Sequence, residues 1–92
     1  MIKPELSAVP RLAAGVRMND NSQRDRLLLT PQRELKLIGP SLEIVRRCDG
    51  KHTVQQIVEA LHQLYSKADA QRVTDDLLGY LALLHDQRAI DF

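Results

Sequence analysis

Asp75 and Asp76 are the only adjacent carboxylates in the chain, and a carboxylate pair is the usual equipment for general acid–base work. Consecutive residues on a helix point about 100° apart, so these two can neither share a proton nor flank one bond. A solvated face or a partner contact is the better reading. Cys48, His52, His62 and His85 are the only soft metal ligands, whereas structural zinc takes four ligands at tight pairwise spacing. Cys48 and His52 are four apart, but Asp49-Gly50 intervenes and removes helical adjacency. Ser7, Ser22, Ser41 and Ser66 lack a nucleophile-elbow context. Gly15, Gly39, Gly50 and Gly79 stand alone and make no phosphate loop. The residues therefore predict no catalytic group, no metal and no cofactor. Cys48 reads as a small buried apolar residue closing a helix.

The elements that would position any site divide the chain into three parts. Residues 1–15 read as an irregular arm interrupted by Pro4, Pro10 and Gly15. Residues 16–39 read as a small antiparallel sheet of three short strands: Val16–Met18, Leu27–Leu29, and Leu35–Leu37 with Ile38 following. Asn19-Asp20-Asn21-Ser22 supplies turn chemistry between the first two. Residues 40–86 read as three helices. The first spans Ser41–Cys48, with Pro40 tolerated at its start and Asp49-Gly50 as its stop. Thr53 and Gln56 form a capping-box signature ahead of a stripe of Val54, Ile57, Val58, Leu61, Leu64 and Tyr65. Asp69 caps the third helix, whose main stripe is Val73, Leu77, Tyr80, Leu81 and Leu84. Leu78, Ala82 and Leu83 fall off that face and widen it. This helix touches both the other helices and the sheet, or part of its surface lines an open groove, and the two readings are compatible. Ala89-Ile90 returns as a short extended piece. The order predicts one α+β, winged-helix-like domain over residues 1–92.

Length and charge narrow the partners. A chain of 92 residues buries about 60–65% of its extended surface, which leaves little material for a deep substrate cavity. Thirteen basic and twelve acidic side chains give no global excess. Residues 1–47 hold nine basic and five acidic groups, a net of +4, and residues 48–92 hold four and seven, a net of −3. One cysteine permits no intrachain disulfide, and no stretch approaches the ~20 apolar residues of a membrane span. The expected setting is a reducing, cytoplasmic compartment with no membrane partner. A winged-helix DNA binder is the alternative from another class. Its recognition helix would carry Asp69, Asp75 and Asp76 against a single Arg72, so it would meet phosphates with repulsion. Peptide recognition remains: an exposed strand edge accepts an extended peptide, with an apolar helix face as the opposite wall. Internal or dimeric pairing of that strand is the competing reading.

Arg11-Leu12 with Gly15-Val16-Arg17, Arg24, Leu28-Leu29-Thr30-Pro31, Cys48-Asp49-Gly50, Thr53-Val54, Ile57-Val58, Val73, Asp76-Leu77, Tyr80-Leu81 and Leu84 occur in an ordered set from Pro10 to Ile90. That set resembles the pyrroloquinoline quinone (PQQ) biosynthesis protein D family, PqqD. The chain departs from its pattern at Gln32, where glutamate is common, and at Leu77 and Tyr80, where valine and phenylalanine are usual. Ile38-Gly39-Pro40 is an unusual exit from the third strand. The resemblance implies a non-catalytic peptide chaperone, a recognition element for ribosomally made and modified peptides. It implies binding of the precursor peptide PqqA and its presentation to the radical S-adenosylmethionine enzyme PqqE. In such elements the peptide adds to the third strand and lies against the third helix. The corresponding peptide-binding residues are Leu35, Lys36, Leu37 and Ile38 on the strand, with Arg72, Asp75, Asp76 and Gly79 on the helix. Gly79 would admit a close backbone, or else a neighbouring helix. A different precursor peptide is the alternative partner. The expected state is a monomer or a homodimer that exchanges its arm and strands.

Overall fold

Short alternating segments followed by three apolar helical stripes build an α+β architecture, described by a computed structural model for residues 3–19, 27–37 and 39–92. The elements are β1 (Arg11–Leu12), β2 (Arg17–Asn19), β3 (Leu27–Leu29), β4 (Glu34–Lys36), α1 (Pro40–Arg46), α2 (Val54–Leu64), α3 (Ala70–Asp86) and β5 (Ile90–Asp91). The expected three antiparallel strands form one sheet in the order β2-β3-β4. Asp20, Asn21 and Ser22 of the predicted turn, Arg24, and Ile38 of the predicted third strand lie outside the described residues.

The β3–β4 turn shows how local chemistry sets register. Thr30 N–H donates to the Arg33 carbonyl at 2.9 Å, while Thr30 Oγ1 accepts from the Arg33 amide at 3.0 Å. Pro31 fixes the turn backbone between them. Leu29 then pairs with Glu34, Leu28 with Leu35 and Leu27 with Lys36. The ladder thus starts one residue earlier than expected and ends at Lys36. Leu28 and Leu37 carry the sheet's apolar contribution into the core, where they join Ile44, Val58, Leu61 and Leu77.

Residues 1–15 are more regular than the arm the prolines suggest. Within them, β1 pairs antiparallel with β5, Leu12 opposite Ile90. The Arg11 backbone also forms an isolated antiparallel β-bridge with that of Asp49, and Pro4 and Pro10 are buried. The arm closes the start of α2. Val54 N–H donates to the Ala8 carbonyl at 2.8 Å and Gln55 N–H to the Leu6 carbonyl at 3.0 Å. Thr53 Oγ1 accepts from the Gln56 amide at 3.1 Å, and Gln56 Oε1 accepts from the Thr53 amide at 2.8 Å. The first amides of a helix have no partner within it. Here the arm and the capping box supply them all.

The first helix is shorter than expected. It ends at Arg46 with Arg47 as its cap, so Asp49-Gly50 lies beyond it. Asp49 instead organises the next turn: its Oδ1 accepts from the Lys51 and His52 amides at 2.9 and 3.2 Å. Gly39 takes φ 59° ahead of Pro40, a backbone state that favours glycine. That state lets the chain leave β4 and enter α1 within three residues. The third helix packs against α2 and β5 and buries part of its wide apolar face. Leu77, Leu81, Ala82 and Leu84 are buried, whereas Leu83 is exposed.

Candidate functional site

In the three-stranded sheet, β3 pairs on both sides, and β4 is an edge. Hydrogen-bonded and open pairs alternate along an antiparallel ladder. Counting from the closing Thr30–Arg33 bond, Leu28–Leu35 is the next bonded pair. The N–H and C=O of Glu34 and Lys36 therefore point away from β3, along the edge.

Among the three helices lies an open, mainly apolar groove of about 350 Å³. Pro40, Ser41 and Ile44 of α1 form one wall. Leu61, Tyr65 and Ala68 contribute from α2 and the turn after it, and Val73, Asp76, Leu77 and Tyr80 from α3. The α3 set follows i, i+3, i+4, i+7 spacing, so it is a single stripe. Four peptide links join Lys36 to Pro40, a reach of at most about 14 Å. Tyr80 is half-buried. Burial pushes its phenol up, opposed by a hydrogen bond with the Ser41 side chain. Among the described residues the Asp76 carboxylate is the groove's one acidic group, and its contact with Arg72 is long, 4.0 Å, with both side chains largely exposed.

The predicted site residues do not come together in one place. Lys36 and Leu35 belong to the β4 edge, with Lys36 exposed and Leu35 half-buried. Leu37 follows the ladder, and its side chain is buried in the core. It cannot offer a surface, because alternation past Lys36 turns it inward. Asp76 alone of the four helix residues lines the groove. Arg72 and Asp75 are exposed on α3 outside it, Asp75 accepting from Gln71 Nε2 at 3.0 Å. Gly79 also lies off the groove lining. A Cβ built there meets nothing within 4 Å, so no neighbouring helix requires this glycine. Ser41, Tyr65, Ala68 and Tyr80 were missed as site residues. Tyr65 and Tyr80 stand in the apolar stripes, and their polar tips were the available hint.

The family model described as Coenzyme PQQ synthesis protein D (PqqD) matches residues 27–90. The chain belongs to the PqqD family. It is 36% identical over 86 residues to a bifunctional coenzyme PQQ synthesis protein C/D of Methylorubrum extorquens. The match covers 92% of this chain but 23% of that protein. A protein named PqqA binding protein, from Xanthomonas campestris, is 33% identical over 88% of both chains. Among solved PqqD structures, the solution structure of the PqqD truncation of Methylobacterium extorquens PqqCD superposes with a TM-score of 0.74 at 35% identity. It covers 96% of this chain and 94% of that one, and is described as a functional, stand-alone recognition element for ribosomally synthesised, modified peptides. The crystal structure of PqqD from Xanthomonas campestris gives 0.54 at 30% identity, covering 92% and 94%. These PqqD relatives share the α+β order of strands followed by helices. Among the described residues no group of side chains could hold a metal, and no helix is long and apolar enough to cross a membrane.

Proposed function

We propose that the chain is a non-catalytic recognition element of PQQ synthesis that binds the precursor peptide PqqA and presents it to the radical S-adenosylmethionine enzyme PqqE. The observation that carries this reading is the β4 edge, joined by a short stretch of chain to Pro40 of an apolar groove. An extended peptide would add to Glu34 and Lys36 through their outward backbone groups, with α3 as its opposite wall. Holding the peptide raises its effective concentration at the modifying enzyme, a gain that needs no chemistry in this chain. The buried free thiol of Cys48 fits work in a reducing, cytoplasmic compartment. The PqqA binding protein among the relatives supports the choice of ligand.

Calorimetric titration with synthetic PqqA tests the proposal. One-to-one binding at micromolar concentration or tighter is expected. Lys36→Pro removes one outward amide from an edge strand, where proline is tolerated. The loss expected is about tenfold, the worth of one hydrogen bond, with thermal unfolding little changed. Absence of binding, both alone and with PqqE added, would overturn the reading.

A further inference from the structure

We infer that the groove is a side-chain anchor site lying off the strand edge, and that it selects one large apolar residue of the peptide flanked by lysine or arginine. This rests on the peptide-binding reading above. Strand addition recognises backbone and so distinguishes sequences poorly; discrimination needs a pocket. The groove supplies one that β4 does not line: its floor is Ile44, Leu61 and Leu77, all buried, and its mouth is Tyr65, Ala68 and Tyr80.

Its size and chemistry set the occupant. About 350 Å³ of open, largely apolar space matches the lower range of ligand clefts, and suits an aromatic or large aliphatic side chain. Apolar side chains make up most of the lining, so the pocket offers little to a polar side chain. At the mouth, Asp76 presents an exposed carboxylate held only by the long Arg72 contact. A cation beside the apolar anchor would meet Asp76, while an acidic neighbour would be repelled. No β4 residue lines the groove, and the chain from Lys36 to Pro40 reaches at most about 14 Å, so the anchor falls a few residues outside the strand-paired segment.

The test is a binding cycle on the full chain. Each large apolar residue of synthetic PqqA is changed to alanine and titrated against the wild-type protein and Ala68→Trp. Ala68 is exposed at the groove mouth, so a larger side chain there plugs the groove without entering the core. At one peptide position alanine should cost roughly 10–100-fold with wild type and under about threefold with Ala68→Trp. If circular dichroism shows that Ala68→Trp is not folded, Ala68→Leu takes its place. Neutralising the basic residue beside that position should weaken binding several-fold with wild type and not with Asp76→Asn. Equal losses in wild type and plugged protein, with binding intact, would overturn the anchor site and leave strand addition standing. No binding of PqqA to wild type at all would overturn both.

Discussion

Cys48 and its neighbour Asp49 are two titratable residues on which the fold acts in opposite directions. The Cys48 thiol is buried, donates to the Ile44 carbonyl at 3.3 Å, and is pushed up to about 12 by burial, with the Asp49 charge adding to it. Such a thiol is inert while the chain is folded. Alkylation of Cys48 at pH 8 should follow global unfolding and stop when denaturant is withdrawn. The same shift has a stability consequence. Between about pH 9 and 12 the unfolded thiol ionises and the folded one does not, so stability falls as pH rises through that window. The slope is on the order of 1 kcal/mol per pH unit, and Cys48→Ala should flatten it in urea titrations. Asp49 behaves inversely. The hydrogen bond with His52, Nδ1 to Oδ1 at 3.0 Å, and the Lys51 amide hold its carboxyl below the usual carboxylate range. Its contribution is therefore full at neutral pH and is lost as pH falls through that lowered value. Asp49→Asn keeps an acceptor for the turn amides, so its deficit relative to wild type should shrink only below about pH 4, as read from urea midpoints.

The end of α3 and its glycine show what a single element hides. Arg88 sits at φ 60°. Its amide donates to the His85 carbonyl at 3.0 Å, and the Ala89 amide donates to that of Leu84 at 2.8 Å. That is a Schellman closure with arginine where glycine is usual. Relief of about 1–2 kcal/mol of left-handed strain, less glycine's entropic cost of about 0.5–1 kcal/mol, leaves Arg88→Gly more stable by up to about 1.5 kcal/mol in equilibrium unfolding. Gly79 invites the opposite use of glycine. An added methyl meets open space and should raise stability by about 0.8–1 kcal/mol through helix propensity. If the peptide backbone approaches there, Gly79→Ala also weakens PqqA binding; unchanged affinity would remove Gly79 from the contact. Periodicity made the helices legible, because Thr53, Gln56 and Asp69 are local caps and the stripes repeat over several turns. It could not place the groove, since whether Val73, Leu77 and Tyr80 face core or open space depends on where α1 packs. Nor could it separate Lys36 from Leu37, because one residue of register decides which is outward.

At the scale of the molecule, the arm and the candidate site lie at opposite ends of α2. The arm closes the helix start through Leu6 and Ala8, whereas Leu61 and Tyr65 line the groove at its other end. Eleven residues separate those ends by about 16 Å. The arm's fixity was not legible because Pro4, Pro10 and Gly15 break every period, and its partners are helix amides rather than a repeating ladder. Removing residues 1–9 takes away two carbonyl acceptors, each worth about 0.5–1.5 kcal/mol net. Stability should fall by about 1–3 kcal/mol, and hydrogen exchange should quicken at Val54 and Gln55 ahead of the rest of α2. PqqA affinity should hold in the fraction that stays folded, since neither the β4 edge nor the groove loses a residue. In the intact chain, protection at Val54 and Gln55 should not change with protein concentration when each arm covers its own helix. Protection that rises with concentration would instead show the same bonds being made across two copies, the strand-exchanged dimer.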